Sequence, residues 1–300
     1  MDPNLSSKKP AMVSVAICTY NGEKFIAEQI ESILKQTHTH FEIVVSDDGS
    51  KDKTLEIIRL FNDDRIRIFV NAVNLGLEGN TQRAISLCEG EFIALADQDD
   101  IWLPHKLETL IKNIGDSQLI YADSEFCDNG GVPSGKKLSQ IRKMFQGDDN
   151  RVFSIPFISC LYGHAILFKS NLRAHLFPFP PKFHDAWIGF IATSIGSIRY
   201  LDEVLVHYRQ HEFSTTHNSS GSEKSSLNAH LLPWFLALSQ SSENKHSNFF
   251  NRLVYLFHNS QQKKITILLF LFLLKFRNVL FFTKPNFFSR INLIRKIIRR

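Results

Sequence analysis

Between residues 11 and 122, short runs of β-branched and apolar residues alternate with stretches whose apolar positions recur at helical spacing. Val13 to Cys18 is continuous enough to be a strand buried on both faces, and after it Ile26, Ile30, Ile33 and Leu34 fall on one helix face. The alternation repeats with Glu42 to Val45 and residues 52–61, then with Ile66 to Val70 and residues 80–88, where Asn80 is placed to cap the helix. Phe92 to Ala96 is a fourth strand. Pro104 opens the next helix, whose face carries Leu107, Leu110, Ile111 and Ile114, and Leu119 to Ala122 is a fifth strand. This rhythm predicts an α/β fold with a mostly parallel sheet covered by helices on both faces.

Ligands of such sheets bind beyond the carboxyl ends of the strands. Polar residues gather there: Thr19, Tyr20 and Asn21 after the first strand, Asp47 and Asp48 after the second, Asn71 and Asn74 after the third, and Asp97, Asp99 and Asp100 after the fourth. One cleft would collect them all. Residues 123–158, rich in Gly, Asp, Lys and Ser, show no clear element and read as a long loop beside a site. The polar run around STTHNSSGSEKSS reads as a linker, and the pattern from Leu227 onward is helical. The predicted organisation is a flexible tail (1–10), a catalytic domain (11–212), a polar linker (213–226) and a helical basic segment (227–300).

Composition adds little until charge is mapped. With 43% hydrophobic and 22% charged residues in 300, the chain is ordinary globular material. Cys18, Cys88, Cys127 and Cys160 form no CxxC pair, which argues against a zinc ribbon or a disulfide scaffold and for a reduced compartment. The amino end has no secretory pattern, so a cytoplasmic product is predicted. The net charge of +5 hides an asymmetry: residues 251–300 hold 11 of the 35 Lys and Arg and none of the 30 Asp and Glu, leaving 24 bases against 30 acids in the body. An acidic body excludes nucleic acid as its partner, and the basic, Phe-rich tail suits an anionic surface such as phospholipid. Within it Ile265 to Leu274 is an unbroken run of ten, short of the ~20 residues that span a bilayer.

Two acidic strand ends carry the candidate chemistry. In FIALADQDDIW, residues 92–102, the acids Asp97, Asp99 and Asp100 follow an apolar strand, and clustered carboxylates call for a cation between them. Mg²⁺ or Mn²⁺ bound there would complete its shell with phosphate oxygens, the chemistry of a nucleotide diphosphate. The competing reading is a solvated acidic loop that caps a helix. In IVVSDDGSKDKT, residues 43–54, Asp48 is placed to accept the imide N–H of a pyrimidine base, although Gly49 and Ser50 also mark a turn. NLGLEGNTQ lacks the GxGxxG spacing and excludes a dinucleotide fingerprint.

In order and spacing, VSVAICTYNGEKFIAEQIESILKQT, FEIVVSDDGSKDKT, NLGLEGNTQRAI, GEFIALADQDDIWLPHKLE, GHAILF, HDAWIG and YRQHEFST resemble glycosyltransferase family 2. DQDDIW with a later YRQH resembles its rhamnosyltransferase-like members, which build bacterial surface polysaccharides. The resemblance implies a Rossmann-like GT-A fold and an inverting transfer of sugar from a nucleoside diphosphate to a hydroxyl of a glycan or lipid-linked acceptor. It assigns Thr19, with Tyr20 beside it, and Asp48 to the nucleotide, Asp97 and Asp99 to a DxD metal motif with Asp99 as direct ligand, Asp185 to the general base, and His211 to the pyrophosphate or metal. Taken alone, Asp185 reads as a helix cap, His184 as a packing or acceptor-side residue, His164 as a structural, packing residue, and His211 as a loop histidine. A lipid-borne acceptor would favour a peripheral position on the inner face of the membrane, with the tail docked on it; the competing reading of the tail is a helical lid on the body with a solvated basic face. A nucleotidyltransferase and a non-catalytic binding module are the competing functions.

Overall fold

The computed structural model describes residues 11–142, 144, 161–180, 184–211, 227–241, 246–260, 262–281, 284 and 286–298. The tail before residue 11, the predicted linker (213–226) and Cys160 lie outside them.

Strands β1 (Val13–Thr19), β2 (Phe41–Asp47), β3 (Ile66–Val70) and β4 (Phe92–Ala96) pair in parallel in the order β3-β2-β1-β4. Helices α1 (Ile26–Leu34), α2 (Thr54–Leu60) and α3 (Gly76–Ser86) make the crossovers. The sheet then continues through β8 (Ile166–Lys169), β6 (Leu119–Cys127), β9 (Ile198–Arg209) and β5 (Ile101–Trp102), with β7 (Pro133–Lys137) on β6. Among these, β6 pairs in parallel with β9, whereas β8, β5 and β7 run antiparallel to their neighbours. The fifth strand of the parallel series therefore does not lie beside the fourth: antiparallel β8 is inserted between β4 and β6. Strand β6 also runs on to Cys127 and makes a hairpin with β7, so part of the stretch read as loop is sheet.

Alternation along the strands builds a core on each face. Val13, Val15 and Ile17 of β1 join Ile43 and Val45 of β2 under α1, α2 and α4 (Lys106–Ile114). Ala16, Val44, Ile93 and Leu95 face α3, α5 (Arg173–Leu176) and α6 (His184–Ile195). Pro104 lies two residues outside α4 rather than in its first turn. Helix α3 begins four residues before the expected cap: Asn80 sits within it, buried, with its amide donating to the Ser46 carbonyl at 2.8 Å.

The second core is continuous with the carboxyl-terminal helices α7 (Leu227–Gln240), α8 (Ser247–His258), α9 (Lys263–Lys275), α10 (Arg277–Leu280) and α11 (Phe287–Ile298). Trp187 and Phe190 of α6 meet Trp234 and Phe250, with ring centroids 6.2 and 6.5 Å apart. At 13 residues, α9 is about 20 Å long. Among the described residues no helix is long and apolar enough to cross a membrane.

Candidate active site

At the carboxyl edge of β2 the two carboxylates are held by donors on nearly every side. Asp47, fully buried, receives the Thr19 hydroxyl at 2.8 Å, the Ser50 hydroxyl at 2.6 Å, and the backbone N–H groups of Gly49 and Ser50. Gly49 has φ of +81°, a left-handed conformation that glycine adopts without a Cβ penalty and that lets the turn close on this carboxylate. Asp48 accepts the Asn71 amide at 2.7 Å and the backbone N–H groups of Leu75 and Gly76 at 2.8 and 2.9 Å. These two N–H groups begin α3, so Asp48 caps that helix from another strand end. One acceptor position on Oδ2 is left over by this count. Thr19 is buried with its hydroxyl turned to Asp47, whereas Tyr20 is half exposed. The Tyr20 backbone is pinned in both directions by the Gln98 amide, at 3.0 and 3.2 Å, which ties the β1 edge to the β4 edge.

The β4 edge differs. Asp100 is fully buried; Oδ1 receives the Arg209 backbone N–H at 2.9 Å, but Oδ2 has no hydrogen-bond partner and faces His164 Nδ1 at 3.5 Å. Asp97, more exposed, lies 3.6 Å from the same nitrogen. His164 is held from its other side by the Ser124 hydroxyl at 2.9 Å and by stacking on Tyr208 at 4.6 Å. Beneath it the buried Lys106 ammonium donates to the His164 carbonyl at 2.5 Å and lies 3.3 Å from the centroid of the Trp102 ring. Asp99 turns the other way, to His211 Nε2 at 2.8 Å. Arg209 locks the loop by donating to the Asp99 and Asn129 carbonyls, at 2.7 and 2.6 Å, and to Glu28.

The electrostatics are those of crowded carboxylates only partly offset by neighbouring cations. Burial raises Asp97, but the His164 hydrogen bond and charge, with His184 and Lys106, outweigh it and lower that carboxyl. Burial, reinforced by Asp99 and Asp97, pushes Asp100 up to about 7 against the pull of His164. Burial and the Asp97 charge likewise raise Asp99, although the His211 hydrogen bond opposes them. Burial lowers His164, but the Asp100 and Asp97 charges overcome it and raise the imidazole. Lys106, desolvated, is held well below its ordinary value. Among the described residues, oxygens of Asp97 and Asp100 and a nitrogen of His164 come within 4.8 Å of one another, close enough to share one ion. Two carboxylates and an imidazole suit a divalent cation of the Mn²⁺ type, and the unpartnered Asp100 Oδ2 is the acceptor such an ion satisfies.

Asp185, in the first turn of α6, reaches this edge through Gly163, at whose position a Cβ would stand 2.9 Å from Asp185 Oδ1. The carboxylate is paired with His184 Nε2 at 2.9 Å. Burial lowers His184, but that contact outweighs it and lifts the imidazole to about 9. A sequence model of glycosyl transferase family 2 matches residues 14–175, which takes in both acidic edges and His164. The chain belongs to glycosyltransferase family 2.

This glycosyltransferase is 32% identical over 210 residues to the UDP-Glc:alpha-D-GlcNAc-diphosphoundecaprenol beta-1,3-glucosyltransferase WfgD of Escherichia coli, covering 69% of this chain and 80% of that one. Its fold is similar to S. aureus TarS 1–349 in complex with UDP-GlcNAc, with a TM-score of 0.62 at 18% identity over 96% of this chain and 88% of the other. It is also similar to glucosyl-3-phosphoglycerate synthase of Mycobacterium tuberculosis in complex with Mn²⁺, UDP and glucosyl-3-phosphoglycerate, with a TM-score of 0.51 at 17% identity, covering 74% and 79%. The GT-A-like α/β fold with a helical carboxyl-terminal region is thereby shown, and nucleotidyl transfer gives way to glycosyl transfer.

Of the expected site residues in this glycosyltransferase, Asp97 and Asp99 lie at one edge with His211, Asp185 approaches it, and Thr19, Tyr20 and Asp48 line the neighbouring edges. The cation-capable group differs from the expected pair, with Asp100 and His164 beside Asp97 and Asp99 on His211. His164, read as a packing residue, and Arg209 and Lys106, not singled out in the sequence, are part of this edge. Arg209 does stand two positions before His211 in YRQH, a signal that was available.

Proposed function

We propose that this glycosyltransferase moves a hexosyl group, with inversion, from a nucleoside-diphosphate donor to a hydroxyl of a lipid-linked glycan in surface polysaccharide synthesis. The observation that carries the reading is the approach of Asp185, through Gly163, to the acidic edge built on Asp97, Asp99, Asp100 and His164. Asp185 takes the proton of the acceptor hydroxyl as the new glycosidic bond forms at the anomeric carbon and the bond to the diphosphate breaks. His184, charged at neutral pH, holds that carboxylate in place. Tyr20 offers its half-exposed ring for stacking on the base, and Asp48 offers the remaining lone pair of Oδ2 to a base N–H. Thr19 acts through Asp47, shaping the floor of this nucleotide subsite.

Asp97, Asp100 and His164, with Asp99 and His211 at the rim, would hold a divalent cation, which when bound neutralises charge on the departing diphosphate. A Mn²⁺ ion in the Mycobacterium tuberculosis synthase of similar fold supports that assignment. The donor rests on two supports that differ. The WfgD name favours UDP-glucose and a diphosphoundecaprenol-linked acceptor, whereas the DQDDIW and YRQH resemblance favours a rhamnosyl donor. A lipid-linked acceptor in turn places the enzyme at the inner face of the cell membrane as a peripheral protein.

The test is transfer to a polyprenyl-diphosphate-linked GlcNAc acceptor with UDP-glucose and dTDP-rhamnose side by side, for the wild type and Asp185→Asn. The expected result is turnover of one donor, cut about 10²- to 10⁴-fold by the substitution while nucleotide binding persists. Undiminished turnover in Asp185→Asn removes Asp185 from the role, and turnover of neither donor removes the donor assignment.

A further inference from the structure

The carboxyl-terminal helices bury one face and leave another open. On α9, Ile265, Leu269 and Leu273 point into the core, while Ile267 and Leu271 are each about half exposed, at 53% and 52%. Lys264, Ile267, Leu271 and Lys275 share that outer face at helical spacing, so an apolar centre is closed at both ends by exposed lysines. On α11, Phe288 is 76% exposed and Arg295, two turns later on the same face, is exposed as well. The two stripes meet, because Ile267 and Arg295 line the same cavity, of about 280 Å³, with Thr266, Phe270 and Ile298. No Asp or Glu occurs anywhere in residues 251–300 to neutralise these bases.

We propose that this face docks on an anionic phospholipid bilayer. Ile267, Leu271 and Phe288 enter the boundary between headgroups and acyl chains, and Lys264, Lys275 and Arg295 meet lipid phosphates around them. Charge complementarity selects the occupant: a neutral apolar partner would leave the cations unmatched, and a chain-spanning insertion is excluded by the length of α9. The helix lies in the surface rather than across it, its inner face held by the core it shares with α6.

Vesicle co-sedimentation of the full chain, without donor or acceptor, tests the docking independently of sugar transfer. Phosphatidylcholine vesicles with and without a minority of phosphatidylglycerol are compared for the wild type, for Ile267→Ser/Leu271→Ser/Phe288→Ser, and for Lys264→Gln/Lys275→Gln/Arg295→Gln. The wild type is expected to partition onto the anionic vesicles and not the neutral ones, and each triple variant to lose at least about tenfold. Thermal midpoints should stay unchanged, since the replaced side chains are mostly exposed. Equal binding to both vesicle types, or full binding by either variant, overturns the proposal. So does a self-associated chain that ignores vesicles and becomes monomeric in the apolar variant.

Discussion

The β2 and β4 edges present the same chemistry in the sequence, carboxylates at the end of an apolar strand, and use it in opposite ways. At the β2 edge Asp47 is saturated and Asp48 keeps a single open lone pair; hydroxyl, amide and backbone donors hold both, and their charge holds a turn and the start of α3. At the β4 edge Asp100 keeps a buried oxygen without a donor, Asp97 and Asp100 crowd one imidazole, and burial raises Asp99 and Asp100. A buried carboxylate that finds its donors stabilises the fold, while one left wanting is held there by the rest of the structure and is free for a ligand. Substitutions at the two edges should therefore separate activity from stability.

The largest separation is expected from Asp99→Ala. Its carboxylate touches only the rim histidine among the described partners of its side chain, so the fold should hold, while sugar transfer drops by about 10³-fold or more. Kinetics beside calorimetric unfolding check this; a variant that transfers sugar normally, or one that unfolds, would erase the contrast between the edges. Asp47→Ala is the mirror case. Removing a fully buried acceptor of four hydrogen bonds strands the Thr19 and Ser50 hydroxyls and two N–H groups, at a cost of about 2–4 kcal/mol. Urea titration reads it, and a loss below about 1 kcal/mol would mean that the β2 edge is not the structural one.

How much of this contrast was legible follows from sequence separation. The first four strands and their helices were readable because each buries a continuous apolar run or a helical stripe within a few residues. Capping of α3 by Asp48 was not, because donor and acceptor are 27 and 28 residues apart and the sequence offered Asn80 closer by. The histidine of the cation-capable group escaped for a topological reason. Antiparallel β8 inserts beside β4 and delivers His164 to acids more than sixty positions earlier, a placement that no local pattern encodes. Arg209 reaches the Asp99 carbonyl across 110 positions. Chemistry was visible where residue type alone announced it, and its assembly was decided by strand order.

A smaller effect sharpens the picture at Asp185. His184 carries a value lifted from 6.5 to about 9 by that carboxylate, so in the folded state it holds its proton where an unfolded histidine has lost it. The stability it contributes is complete below pH 6.5 and disappears as pH rises through about 9, on the order of 3 kcal/mol. Comparing wild type with His184→Gln from pH 6 to pH 10 should show an advantage that shrinks along that window; a constant difference would mean the imidazole is neutral throughout.

The smallest expected effect lies at the opposite end of the sheet, where Glu42 shows what a satisfied acid looks like far from the site. Burial raises Glu42, but the Ser14 hydroxyl at 2.6 Å, Arg67 at 2.5 Å and the Glu89 N–H at 2.8 Å outweigh it and hold the carboxyl below its ordinary 4.5. A lowered value stabilises above pH 4.5 and loses its contribution as pH falls toward the folded-state value. Glu42→Gln keeps the shape but replaces one of the two accepting oxygens with a donor facing Ser14 or Arg67, so about 1–2 kcal/mol should be lost at pH 7 and progressively less as pH falls below 4.5. Acid unfolding followed by circular dichroism reads the difference, with turnover unchanged at neutral pH. A fall in turnover without a fall in stability would give this acid a part in catalysis and blur the division between the two kinds of carboxylate.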